Sequence, residues 1–460
     1  MELSALLLSR IQFAFTIGYH ILFPTLTMGL ALLLVFLDAR ALVSGRALYR
    51  QASLFWSRIF ALAFGMGVVS GVVLSYELGT NWGRYSQFAG PVVGPLISYE
   101  VMTAFFLEAG FLGIMLFGRR RVSPGVHFFA TCMVAVGTVF SAFWVLSANS
   151  YMQTPAGTVV RGGVLHVVDW AEVVFNPSFP YRFAHMTTAS YLSSSFVVIA
   201  VGAWYVLRGR DVELGRANLR WGLRAAAILA PLQVLIGDLH GLNTLEHQPM
   251  KVAAMEAHWE TGGHVPLILF ALPDEDAEAN RHAIGIPNLG SLILTHEAKG
   301  VVKGLKEVPR QDRPPVAVVF WSFRLMVGCG LLMLLLAWLG IVLGRGGREP
   351  PRWLLRPLLY AGPLGFVAVI AGWTTTEVGR QPWVVHGLQR TADAVSQVAA
   401  ADVMASLAAY VIGYGVLFVA FATFFRRLVA NGTPDDPQAH APPPERGAPR
   451  PAFVTTKDQR

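Results

Sequence analysis

Six side chains with chemical capacity lie inside runs of apolar sequence: His20, Glu100, Glu108, His185, Met326 and Glu377. A titratable group at membrane depth costs several kcal/mol unless it is partnered, so each titratable residue in this set marks a candidate site. At about 1.5 Å of rise per residue, His185, Met326 and Glu377 fall in the outer part of the membrane, with Glu100 close by and His20 and Glu108 deeper. His, Met and Glu side chains converging on one leaflet suit prosthetic groups. Haem iron takes His and Met as axial partners, and that pair favours electron transfer at raised potential. Glu100 and Glu108 are eight residues apart, which on a regular helix is about 80° of rotation and ~12 Å of depth, so both can face one interior channel as a proton relay. Plainer readings stand beside these. Either His can bond a neighbouring helix, Met326 can be packing, the two glutamates suit a transporter equally, and Glu377 can pair with Arg380.

The elements that must position these residues are read from hydropathy. With 54% hydrophobic and 14% charged residues over 460 positions, the chain does not suit a water-facing surface. The net charge of +8 sits in short clusters between apolar runs, a topology signal and not a nucleic-acid face. Cys132 and Cys329 lie inside apolar runs and belong to no CxxC or disulfide framework. Nine runs are long enough to cross about 30 Å of hydrocarbon as helices. They are Ile11–Leu37, Leu54–Leu78, Pro95–Phe117, Val126–Ala148, Phe183–Leu207, Leu219–Leu239, Val318–Leu343, Leu358–Thr376 and Asp402–Phe425. The first is too long for a signal peptide core. Cytoplasmic loops collect Arg and Lys. Arg40, Arg46 and Arg50, then Arg119 to Arg121, Arg208 to Arg216 and Arg345 to Arg356, follow the odd-numbered spans. The N-terminus is therefore expected outside and the C-terminus in the cytoplasm, in an all-α integral membrane protein.

Four regions follow: spans one to six over 1–239, a long outer loop over 240–317, spans seven to nine over 318–427, and a Pro- and charge-rich tail over 428–460, expected to be disordered.

Several strings resemble subunit I of the cytochrome bd-type quinol oxidases, and the likeness runs from about Ser9 to Arg427. They are Ser9-Arg10-Ile11-Gln12-Phe13 with His20 downstream, Gln248-Pro249-Met250-Lys251 followed by Ala253-Ala254-Met255-Glu256, Phe320-Trp321-Ser322-Phe323-Arg324-Leu325-Met326, and Glu377 before Gly379-Arg380-Gln381-Pro382-Trp383. Each is weak alone; in this order, on nine spans, they are specific.

The resemblance implies a respiratory enzyme of the bacterial cytoplasmic (inner) membrane that oxidises ubiquinol or menaquinol and reduces dioxygen to water, with protons drawn from the cytoplasm. It implies three haems: a low-spin haem b held by His185 and Met326, a high-spin haem b, and a haem d or third haem b. His20 and Glu377 match the ligands of the last two, in an order left open. Glu100 and Glu108 match the acidic pair that feeds protons toward those haems. Arg10, Arg324 and Arg380 look like arginines beside haem propionates. Lys251 and Glu256 match quinol-binding positions in the outer loop, for which an amphipathic surface helix is the plainer reading. Partners implied are a second large subunit, one or more small single-span subunits, and the lipid bilayer. Only about 60 residues separate Lys251 from the seventh span, which resembles the short-loop, cyanide-insensitive branch.

Two other functions compete. A proton-coupled transporter would usually show inverted repeats and interrupted helices, and the hydropathy pattern shows neither. A quinol-linked haem subunit that only transfers electrons would lack a high-spin haem.

Overall fold

The computed structural model describes residues 4–433, so most of the tail lies outside the described residues. Without water, each apolar run must satisfy its backbone internally, and helix is the solution open to a single segment. Among the described residues nine helical segments are long and apolar enough to cross a membrane. The first is α1 (Ala5–His20) with α2 (Leu22–Ser44), and the second is α3 (Ala47–Thr80). The third joins α4 (Gly83–Tyr99), a π-helical segment (Glu100–Phe105) and α5 (Phe106–Phe117); the fourth is α6 (Pro124–Gln153). Strands β1 (Thr158–Arg161) and β2 (Val164–Val167) and helix α7 (Trp170–Val174) lead to the fifth, α8 (Phe179–Arg208), and the sixth, α9 (Val212–His247). The long loop holds α10 (Pro249–Glu256), β3 (Leu267–Asp274), β4 (Ala279–Ile286) and α11 (Leu289–Thr295). The seventh span is α12 (Val316–Leu343), and the eighth is α13 (Arg352–Tyr360) with α14 (Leu364–Val378). After β5 (Trp383–Val385), β6 (Gln389–Arg390) and α15 (Thr391–Ala394), α16 (Ala400–Asn431) makes the ninth.

Three of these spans are interrupted, contrary to the continuous helices read from hydropathy. The first breaks at Ile21. Pro24 accounts for it, because a proline ring crowds the carbonyl four residues back, here that of His20. In the third, the Phe106 N–H reaches the Val101 carbonyl five residues back, the mark of a π turn. The eighth turns at residues 361–363, where Pro363 offers no N–H to continue the preceding helix. Interruption therefore does not separate a transporter from an oxidase here. Two boundaries also move. Helix α9 continues past Leu239 to His247, so His240 is helical and not part of the loop, and α16 runs through residue 428 to Asn431.

Close approach of backbones holds the bundle, as expected where lipid offers no hydrophobic drive. A Cβ on Gly202 of α8 would meet the Gly215 carbonyl oxygen of α9 at 2.8 Å. Ser194 of α8 donates to the Thr25 and Leu26 carbonyls of α2 at 3.2 and 3.1 Å. Around these contacts Leu30, Leu34, Phe55, Trp56, Phe60 and Tyr205 are buried in one cluster. The hairpins β1–β2, β3–β4 and β5–β6 follow the fourth, sixth and eighth spans, so all three lie on one side of the membrane.

At the opposite end Asp38 of α2 is buried beside four partners. Ser53 donates at 2.6 Å, Thr131 at 2.9 Å and Arg119 at 3.0 Å, and His127 stands 3.4 Å away. These contacts pin α2 to α3, α6 and the α5–α6 connection. Asp38→Ala leaves Arg119 without its counter-ion and should cost on the order of 3 kcal/mol, the low end for a broken buried pair because Arg119 keeps some access to solvent. The midpoint of thermal inactivation of the purified protein should drop, and Asp38→Asn, which keeps hydrogen bonds to Ser53 and Thr131, should drop it less. Unchanged midpoints would remove Asp38 from the stability of this end.

Candidate functional site

Glu377, at the C-terminal end of α14, accepts from Asn149 (3.0 Å) and Gln153 (3.1 Å) of α6 and pairs with Arg380. Arg182 of α8 donates to the same Asn149 at 3.0 Å. Lys251 of α10 donates to the Gln153 side chain at 2.6 Å, and Gln248 donates to the Gln153 carbonyl at 2.6 Å. Three cationic side chains thus crowd one carboxylate in a buried place. Burial and the neighbouring Arg182 push the Lys251 ammonium well below its ordinary value, against the opposing pull of Glu377. Lys251 and Arg380 likewise help burial push His386, in the β5–β6 turn, down to about 4. Nε of Arg182 and both Nε and one terminal nitrogen of Arg380 are buried without acceptors.

His185, one turn after Arg182, is half-buried, with its Nδ1 shielded and unpartnered. Its ring packs on His240, 5.3 Å between centroids, and Gly237 opposite offers only a hydrogen toward it. Met326 of α12 points its sulfur at Gly372 of α14, where a Cβ would stand 2.9 Å away. His20, at the break of the first span, accepts or donates to the Ser70 hydroxyl of α3 at 2.9 Å and faces Gly71. Thus each of the two histidines and the methionine faces a glycine. Arg10 forms no ion pair among the described residues.

Glu100 receives the Ser141 hydroxyl of α6 at 2.7 Å, while Glu108 packs against Gly137, one turn away on the same helix. The regular-helix figures of about 80° and ~12 Å do not carry over, because the π segment between them winds through fewer degrees per residue. Both carboxylates address adjacent turns of α6, about 6 Å apart by helical rise.

Lys251 and Glu256 do not share one spot. Five residues separate them on α10, about 140° of rotation, and only Lys251 turns to the Glu377 cluster. Glu256 instead takes Arg324 of α12 at 2.9 Å. Arg324 also donates to the Met255 and Ile268 carbonyls and lies over the Phe320 ring, 3.6 Å from its centroid. It is therefore engaged by the loop, and the positive group beside Glu256 is Arg324 and not Lys251.

The donor set fits haem. Among the described residues no three His, Cys, Asp or Glu side chains converge as a bare-ion site would need. Isolated single donors would suit an iron already held by a macrocycle. The unpaired guanidinium donors suit the carboxylates that haem carries at its edge.

Asn149, Gln153 and Arg182 were not among the candidates, because amides carry no charge signal and Arg182 reads as a loop arginine. Glu77 of α3 was also missed. It is fully buried, accepts from Thr16 at 3.1 Å and has one oxygen unpartnered. The rule that singles out carboxylates inside apolar runs points to it.

A family model described as cytochrome bd terminal oxidase subunit I matches residues 8–433. The chain is 34% identical to cytochrome bd ubiquinol oxidase subunit 1 of Bacillus subtilis (strain 168), covering 94% of this chain and 95% of that one. It is 32% identical to cytochrome bd-II ubiquinol oxidase subunit 1 of Escherichia coli (strain K12), covering 96% and 99%. The solved structure of bd oxidase from Geobacillus thermodenitrificans superposes with a TM-score of 0.87 at 33% identity, over 93% of this chain and 98% of that one. With the matched region running through all nine spans, the chain belongs to the cytochrome bd terminal oxidase subunit I family.

Proposed function

We propose that this chain is the haem-bearing large subunit of a quinol oxidase that takes electrons from ubiquinol or menaquinol and reduces dioxygen to water, four protons and four electrons per dioxygen. The observation that carries the reading is the buried cluster of Arg182, Lys251 and Arg380 around Glu377, with donors left for an anionic prosthetic group. Haem iron, when bound, supplies one-electron transfer and oxygen chemistry. His185 and Met326 would hold a low-spin haem b. His20 and Glu377 would each hold one of the others, a high-spin haem b and a haem d or further haem b. Arg182 and Arg380 would pair with propionates, and Arg10 remains a candidate for the same role.

Glu256 stands at the loop end of the route as acceptor for a proton released when quinol is oxidised, with Arg324 fixing its carboxylate. Lys251 is turned toward the Glu377 cluster, and its part is to tie α10 to that cluster through Gln153. Glu108 and Glu100 form the proton line on the other side, handing protons along α6 from the cytoplasm. The distribution of arginine supports an N-terminus outside, which puts the long loop outside also. Its length supports the short-loop branch, and a second large subunit and small single-span subunits complete the assembly.

Three substitutions test this reading. Met326→Leu keeps volume and apolarity, a change worth under about 1.5 kcal/mol of packing, and removes the thioether. Reduced spectra should lose the low-spin haem b signature or show its potential lowered; an unaltered spectrum and potential make Met326 core packing only.

Glu256→Gln preserves shape without accepting a proton. Quinol-driven turnover should fall at least tenfold, about 1.4 kcal/mol in barrier, while oxygen uptake from an artificial one-electron donor persists. Equal loss of both activities would refute the role at quinol.

Glu108→Gln keeps hydrogen bonding but cannot exchange a proton. Haem content and the carbon monoxide difference spectrum should be normal while oxygen consumption drops by about tenfold or more, the scale of lost proton transfer. Full activity would take Glu108 off the proton line, and loss of a haem would move it into the ligand set or core.

A further inference from the structure

The β3–β4 hairpin leaves a broad apolar face uncovered. Leu269 (52% exposed), Phe270, Leu272, Ile284 (63%) and Ile286 lie open on it, whereas Ile268 and Ala271 point inward and are buried. Such a face on a soluble loop is costly, so its surroundings decide what covers it.

The hairpin runs alongside the first turns of α12 in a fixed register. At its tip the Glu275 carboxylate accepts from the Val316 N–H at 2.8 Å. Further along, the Phe270 ring meets the Trp321 ring edge-on, 5.2 Å between centroids. At its base the Ile268 carbonyl accepts from Arg324 Nε at 2.9 Å. From Val316 to Arg324 is eight residues, about 12 Å of descent along the helix. The strand therefore goes down beside the span as the chain is followed back from Glu275 to Ile268.

Charge is sorted along the same axis. Asp274 pairs with Arg281, and Glu278 accepts from Arg310 and Arg313 at 2.7 Å each, all at the tip end. Those arginines hold the Glu278 carboxyl down to about 2. No charged residue occurs between Ile268 and Leu272 or between Ala283 and Ile286. Val318, Trp321, Leu325, Leu332 and Leu335 form the exposed stripe of α12, and Phe270 extends that stripe sideways through its contact with Trp321. A tryptophan at this level is the usual companion of the headgroup boundary.

We infer that the β3–β4 hairpin is a membrane-inserted element whose apolar face contacts phospholipid in the leaflet on its own side, continuing the lipid-facing surface of α12. Insertion of ~5–10 Å is the depth at which interfacial elements bury an apolar face, and the register above supplies it. The tip stays in water with its ion pairs satisfied.

The test uses the whole oxidase in lipid nanodiscs. Cys132 and Cys329 are replaced by Ala, and single cysteines at Leu269 or Ile284 carry an environment-sensitive fluorophore. Ala279→Cys at the tip is the aqueous reference and Leu335→Cys in mid-span the lipid reference; Leu272→Cys substitutes for either hairpin probe that fails to assemble. At positions 269 and 284 the emission should shift to the blue of position 279, lose intensity to nitroxide-labelled phospholipid as position 335 does, and resist aqueous iodide. Emission and quenching like those at position 279 would overturn the inference. Shielding from both lipid nitroxide and iodide would overturn it too, since a protein partner would then cover the face.

Discussion

Glu377 cannot by itself balance the guanidinium groups of Arg182 and Arg380 beside the buried Lys251, and the end of the molecule that carries the long loop is organised around that shortfall. Buried charge is tolerated only when paired and hydrogen-bonded. Asn149 and Gln153 of α6 act as the junction: each donates to Glu377, and each accepts from a different cation, Arg182 or Lys251. Through these amides four elements, α6, α8, α10 and α14, meet at one point. Removing any member would strand a charge on its neighbour. Nε of Arg182 and two nitrogens of Arg380 are left over as donors that an anionic group would satisfy.

The breaks in the spans are tied to the same residues. Where α1 stops, His20 projects to Ser70; where the third span widens into a π turn, Glu100 begins it. An uninterrupted helix directs side chains at fixed intervals, and departures from it re-aim individual groups. In this chain the π segment lies between Glu100 and Glu108, which face adjacent turns of α6.

Much of this was legible from residues alone, and the limits have physical causes. Hydropathy located all nine spans, because spanning a bilayer demands length and apolarity that local chemistry displays. The helix breaks were not legible, since Pro24 and Pro363 read equally well as tolerated prolines within a span. His185, Met326 and Glu377 stood out as polar or ligating groups in apolar runs. Asn149 and Gln153 did not, because an amide carries no charge and its importance lies in which two ions it joins. The resemblance placed Lys251 and Glu256 together as quinol-binding positions of the loop. Only the direction each takes from α10 separates them, and direction depends on packing that a string of letters does not hold.

Arg324 brings these strands together. It sits on a span, yet its hydrogen-bond partners are all from the loop: the Ile268 carbonyl of β3, the Met255 carbonyl and the Glu256 carboxylate of α10. A guanidinium has donors enough to bind all three at once in its plane, so β3 and the end of α10 are located relative to α12 by a single side chain. Two residues along α12, Met326 faces Gly372. The helix that carries a candidate haem ligand therefore also anchors the loop, and the distance between the loop's acid and the ligand's sulfur is set by a rigid helical turn.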